Sequence, residues 1–421
     1  MVAKCPFFYG WVIVGVAFIA SGIGSGVAIW GPSVLLVPMT EDLGWSRSAF
    51  FSAFFVREIL IAIATPFIGP FYDKKHAPRV FAFLGAILLG LSTALIGQVN
   101  TLWQFIALFG VMGGVAELGS GFFISQALVP KWFIIKRGRA LGFSIMGVGL
   151  GALVFPSAIS ILISEVGWRD AWLWFGIVVG SISIFLAFLI RTNPEDEGLL
   201  PDGIKVDKVL TSSQNMEHLE EISLTRKQAV KRPAFWLLLT SFSLVGLGIT
   251  GFQSNWHPFL TEVGFGPAEA AFGIAIYGLM SGIVRPGWGI LGERFPVRYL
   301  LAISTLSTSI LIVIFLNVRW MNALVIIMFM AGIVMGGFLI LRALLVANYF
   351  GRRHIGAINS LFRPFSMGTA ALGPILFGAL HDTYGNYEIA FILAALAWGL
   401  AGILIILAKP PLRDSTNEKS S

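Results

Sequence analysis

The hydrocarbon core of a bilayer takes about 20 mostly apolar residues per crossing, and this chain offers twelve such stretches with short loops between them. Their limits are 11–38, 48–71, 80–98, 102–129, 140–163 and 171–190, then 234–259, 270–292, 298–316, 322–347, 355–379 and 389–408. Only 12% of the 421 residues are Asp, Glu, Lys or Arg, against about a quarter in a soluble domain. That is too little polar surface to coat a water-soluble globule, so the missing surface faces lipid. An all-α membrane protein follows, its N-terminal stretch a first crossing rather than a signal peptide.

The single cysteine, Cys5, excludes a disulfide framework and a thiolate metal cluster, and five histidines without HxxxH-type spacing exclude a zincin-like centre. The sequence also lacks a phosphate-cradling loop and a nucleophile elbow, so no enzyme, cofactor or metal site is expected. A formal net charge of +7 would raise the question of nucleic acid in a soluble protein. Here position matters more, because Lys and Arg collect on the cytoplasmic side of membrane proteins. Of the 29 Lys and Arg, three (Arg47, Arg169, Arg319) fall in odd-numbered connections and four inside spans. The other 22 lie in even-numbered connections and the tails, which places both termini in the cytoplasm and gives a multi-pass protein of the cell membrane. No nucleic-acid partner is expected.

Residues 192–232 are the one long polar segment, from Asn193-Pro194-Glu195 to Lys231-Arg232. The predicted organisation is therefore a six-helix bundle over 1–191, a cytoplasmic linker over 192–232, a second six-helix bundle over 233–409 and a tail over 410–421. The halves repeat at the level of residues. Gly69-Pro-Phe-Tyr-Asp73-Lys74 follows the second span and Gly289-Ile-Leu-Gly-Glu293-Arg294 the eighth; Gly167-Trp-Arg-Asp precedes the sixth and Gly385-Asn-Tyr-Glu the twelfth. A parallel repeat about an axis along the membrane normal is a transporter architecture.

Six charged side chains fall well inside spans: Arg57, Glu58, Glu117, Arg285, Arg342 and Arg363. Each costs roughly 2.5–3.5 kcal/mol on insertion scales, so such residues face a wet cavity or a partner. The second half holds three arginines and no acid, an asymmetry that asks for an anion. Arg285 has small neighbours on its face, Gly278, Ser281, Gly282 and Gly289, which leaves room for a ligand. Arg363 shares a polar stripe with Gly356, Asn359, Ser360 and Ser366, whereas Arg342 sits among Met335, Phe338 and Leu345. At about 1.5 Å per residue the three arginines lie roughly 8–12 Å from the cytoplasmic ends, near a common level. A guanidinium fork suits a carboxylate.

Arg57 and Glu58 lie about 100° apart on one helix and read as structural partners of neighbouring helices. Glu117 lies on a stripe of Gly110, Gly113, Gly114, Ser120 and Gly121, with two readings open: a proton-carrying carboxylate, or a packing seam whose acid is permanently paired to an arginine. His257, in Gln253-Ser-Asn255-Trp256-His257, is a second candidate proton relay or part of an interfacial belt. Gly147, Gly149 and Gly151, with Gly368 and Gly373, are expected at a close seam between the halves.

Over essentially its whole length the chain resembles the major facilitator superfamily, the GxxxD plus basic residue after the second span being that family's loop signature. The resemblance implies two pseudo-symmetric six-helix bundles, twelve transmembrane helices in all, and gating or structural roles for Asp73, Lys74, Glu293 and Arg294. Within it the chain is similar to the oxalate/formate antiporter and monocarboxylate transporter branch. Arg285-Pro286-Gly287-Trp288-Gly289 matches that branch's eighth-span signature, where the arginine binds substrate carboxylate, and Arg363 falls within about one residue of the antiporter's second cation. The animal transporters' aspartate four residues before that arginine is Ser281 here, and the first-span lysine is missing near Pro32 and Ser33.

The expected function is transport of small mono- or dicarboxylates by alternating access, as proton symport or anion exchange, by a monomer. Substrate-binding candidates are Arg285, Arg363, Arg342, Asn359 and Ser281. The rivals are a proton-coupled exporter of drugs or other non-carboxylate solutes and a membrane anion sensor that does not translocate its ligand.

Overall fold

A computed structural model describes residues 7–119, 122–203 and 223–411. Ser120 and Gly121 of the fourth-span stripe, the middle of the linker and the tail from 412 lie outside the described residues. Among those described the chain is helical. Helix α1 runs Gly10–Ser25, a π stretch Gly26–Trp30 and Gly31–Leu43. Helix α2 is Arg47–Ile68, its start capped by Ser46, whose Oγ accepts the Ala49 N–H at 3.2 Å. Helix α3 is Ala77–Leu95, and α4 comprises Leu102–Phe105, a π stretch Ile106–Met112, Gly113–Gly119 and Phe122–Trp132. Helices α5 and α6 share Arg137–Leu189, parted at Gly167, whose φ of 79° the missing Cβ permits.

The second half repeats the plan. Helix α7 is Pro233–Ser254, followed by a short helix Trp256–Glu262; α8 is Pro267–Ile283 plus Arg285–Arg294. Then come α9 (Val297–Phe315), α10 (Met321–Gly336 and Phe338–Phe350), α11 (Ile355–Tyr384) and α12 (Glu388–Leu407). Ten helical stretches are long and apolar enough to cross a membrane, and the bent pair of α8 makes eleven. The twelfth, α11, has the length at 30 residues but carries the polar stripe around Arg363.

Glycines set how closely the helices approach, and they act at two kinds of seam. Gly147 and Gly151 of α5 lie on the backbone of α1: a Cβ on Gly147 would sit 1.8 Å from the Phe18 carbonyl, and one on Gly151 2.6 Å from that of Gly22. In the repeat, Gly373 of α11 lies on Leu247 and Gly251 of α7. These three therefore close seams within each half, not between the halves as expected, and Gly368 has open space beside it. A glycine tells that something approaches its helix, and not which helix.

Between the halves, α5 and α8 run antiparallel with a graded gap. A Cβ on Gly138 would meet the Gly289 carbonyl at 1.9 Å, one on Gly142 the Pro286 Cα at 2.7 Å, and one on Gly149 the Gly282 Cα at 3.4 Å. The helices touch at the side carrying the basic loops and diverge towards the middle. On the other flank, Gly69 at the end of α2 lies against Ser360 and Gly356 of α11. The polar contacts that join the halves among the described residues lie on the same basic side or near mid-depth. They include Arg137 Nη1 donating to Asn348 Oδ1 at 3.0 Å and Arg352 Nη1 to the Lys131 carbonyl at 3.0 Å. The protein is closed on its basic side.

The described ends of the linker are bound to the bundles. Asp202, the one non-glycine residue with positive φ among those described (58°), accepts the N–H groups of Ile134 and Ile135 at 2.8 Å and of Lys136 at 3.0 Å. Its carboxylate thereby holds the turn that leads into α5. Glu195 pairs with Arg352 at 2.6 Å, and the Leu224 N–H donates to the Phe350 carbonyl at 2.9 Å.

Candidate functional site

Proline at 286 has no N–H and crowds the carbonyl four residues earlier, that of Gly282, so α8 breaks there. The two pieces are bent by 41° around Val284, and Arg285 opens the second piece. Its side chain turns towards α5, where Nη1 donates to the Ile145 carbonyl at 2.9 Å. The residue is only 8% exposed, Nε is buried with no hydrogen-bond partner, and among the described residues no acid pairs with it. Discontinuous helices at mid-depth are where transporters of this architecture hold their cargo.

Tyr277 and Ser281 stand two turns and one turn before Arg285 on the same face of α8. Ser281 is buried, its backbone against Gly332 and Gly336 of α10. The Tyr277 Oη accepts from Gln253 Nε2 of α7 at 2.7 Å. Neither Tyr277 nor Gln253 was singled out from the sequence. The signal available was the spacing 277, 281, 285.

A second cluster joins the halves. Arg57 of α2 donates to Glu117 Oε2 of α4 through Nε at 3.2 Å and Nη2 at 3.0 Å. The guanidinium also lies over the Phe109 ring, 4.8 Å from its centroid. Arg363 of α11 reaches the other oxygen, Oε1, at 3.5 Å. Glu58 remains within electrostatic reach of Glu117, Arg363 and Arg57. Arg57 thus binds an acid two helices away rather than balancing the adjacent Glu58. The arrangement is that of the packing-seam reading of the Glu117 stripe: Gly110 packs on Ala53 and Gly114 on Leu60 and Arg57, and the carboxylate holds two arginines.

Arg342 lies over the Phe242 ring at 4.6 Å and donates to Ser366 Oγ at 3.2 Å. Asn359, one turn before Arg363, has its Nδ2 buried without a hydrogen-bond partner. His257 is exposed on the short helix Trp256–Glu262 beyond α7, and no described contact joins it to these clusters.

Both loop acids brace the basic side, with partners other than their sequence neighbours. Asp73 pairs with Lys131 at 3.1 Å and accepts the N–H groups of Gly356 and Ala357 at 3.2 and 3.0 Å, so it caps α11 from the opposite half. Burial pushes the Lys131 ammonium below its usual pKa, and the Asp73 charge and hydrogen bond oppose that shift. Glu293 binds Arg139 through Nη2 and its backbone N–H, both at 2.7 Å. Lys74 and Arg294 instead stay exposed, Lys74 over the Phe71 ring. Lys131 and Arg139 are the bases that sequence adjacency missed.

The chain matches the family model described as Major Facilitator Superfamily over residues 11–265 and 244–421. It is 28% identical over 257 residues to the oxalate:formate antiporter of Oxalobacter formigenes, covering 61% of this chain and 57% of that protein. Monocarboxylate transporter 12 of Xenopus laevis is 26% identical over 368 residues, 84% of this chain and 79% of its own. Multidrug resistance protein MdtG of Salmonella newport is 27% identical over 357 residues, 81% of this chain and 80% of its own. Among solved structures, the proton:xylose symporter XylE superposes with a TM-score of 0.71 at 15% identity, covering 95% of this chain and 94% of that one.

Proposed function

Given that the chain belongs to the Major Facilitator Superfamily, we propose that it carries small organic anions, mono- or dicarboxylates, by alternating access as proton symport or anion exchange. Arg285 is the principal carboxylate ligand, Arg363 the second cation and Arg342 a flanking one. Asn359 and Ser281 supply polar contacts, and Glu117 is the counter-ion or proton carrier. The basic side faces the cytoplasm, so this state is the one closed to the cell interior.

The observation that carries the reading is Arg285: a guanidinium buried at a broken helix, without an acid and with Nε unsatisfied. A charge so placed needs an anion or deep water, and a carboxylate fits its fork. Two relatives have carboxylates in their names, which supports the same cargo class. Purified protein in proteoliposomes, assayed by counterflow of labelled small carboxylates with and without a pH gradient, tests it. Arg285→Ala abolishes counterflow and Arg285→Lys restores little of it, because lysine lacks the fork. Normal uptake by Arg285→Ala would remove the central residue. The likeness to MdtG favours a second reading, export of a non-carboxylate solute, which predicts transport indifferent to neutralising Arg285 and Arg363.

A further inference from the structure

Glu117 holds its two arginines unequally. Arg57 grips Oε2 with two N–H groups at 3.0 and 3.2 Å, its side chain 3% exposed; Arg363 touches Oε1 at 3.5 Å, the outer limit of a hydrogen bond, its side chain 11% exposed. Taking Arg363 away leaves Glu117 still charge-balanced by Arg57, so that separation strands no buried acid. Taking Arg57 away strands Glu117 on a long, weak contact. The Glu117–Arg363 contact also ties α4 of one half to α11 of the other near mid-depth.

From this we infer that Glu117 is a resident stand-in carboxylate: in the unloaded protein it occupies Arg363, and a cargo carboxylate displaces it there. Binding of cargo thereby undoes a tie between the halves at the level of the site. Glu117 is a positioning residue, acting through Arg363. The inference rests on the carboxylate reading above, and its test separates the two. Glu117→Gln removes the charge at constant shape. Glu117→Asp retracts the carboxylate by about 1.5 Å, one C–C bond, which carries it beyond Arg363. Arg57 stays in reach because Gly113 and Gly114 pack against Arg57 itself.

Counterflow in proteoliposomes, with the same labelled carboxylate for all proteins, reads KM and kcat. Both variants lower KM by roughly 1.5- to fivefold, the scale of one partly exposed ion pair, and lower kcat, because without Glu117 competing for Arg363 the cargo leaves it more slowly. A merely structural role would reduce the amount of active protein and leave KM alone. Unchanged or raised KM in both variants overturns the inference while leaving the cargo reading intact. Failure of both to fold would make Glu117 structural and overturn it too. A wild type that carries no carboxylate sinks the cargo reading, and this inference with it.

Discussion

The graded contact between α5 and α8 makes Gly138→Ala a measurable lever on conformation. The added Cβ would sit 1.9 Å from the Gly289 carbonyl, whereas real Cβ contacts under 3.0 Å essentially never occur. The obstacle is backbone, which has no rotamer to yield, so the helices must part by about 1 Å at their tightest point. Overpacking of this kind costs roughly 1–3 kcal/mol, and only in the state where the seam is shut. The equilibrium then shifts away from the basic-side-closed state by roughly 5- to 150-fold. Spin labels at exposed Arg79 and Arg353, replaced by cysteines in a Cys5→Ser background, report the distance across the basic side by electron–electron resonance. Gly138→Ala should move the population to longer distances. Gly282→Ala is the internal control, since its Cβ meets only the Gly149 Cα at 3.8 Å. An unchanged distance distribution in Gly138→Ala, or an equal shift in both, would refute the wedge.

Two further outcomes follow from the basic side. Asp73→Asn leaves Lys131 buried without its acid and weakens the cap on α11, so thermal stability in detergent falls by the equivalent of about 3–5 kcal/mol; the double change with Lys131→Met recovers part of it, and a double variant worse than the single one would refute the pairing. At Asp202, asparagine tolerates the positive φ and keeps an acceptor, glycine fits the φ but loses the three N–H contacts, and alanine loses both. Thermal stability should therefore rank Asn, then Gly, then Ala, and alanine equal to asparagine would mean the capture contributes nothing.

Span number, bundle repeat and the loop acids were legible because they depend on periodicity and spacing along one chain. The break at Arg285 was not among the expectations, although Pro286 carried its signal, since a proline inside a helix forces a local backbone event. Direction was not legible. Asp73 chose Lys131 over Lys74, and Glu293 chose Arg139 over Arg294, because adjacent side chains on a turn point apart while a distant helix end points in. Gly147 and Gly151 signalled a close neighbour correctly and the wrong partner, since any helix satisfies a smooth surface equally well. Tyr277 escaped notice for a related reason: aromatic residues are so common here, at 13% of the chain, that one more carries no weight until Gln253 is seen opposite it.

The α5–α8 joint is made of main chain meeting main chain, with Gly138 and Gly289 contributing no side chain to it. Its fit at that point depends on helix axes, while the Arg139–Glu293 pair beside it adds a side-chain tie. The proposed cargo ligands Arg285 and Ser281 occupy the next turns of the same helix as Gly289. Arg285 also bonds across this joint to the Ile145 carbonyl, so a substitution there would alter both the site and the bearing, whereas the Gly138–Gly289 contact is separable from the site.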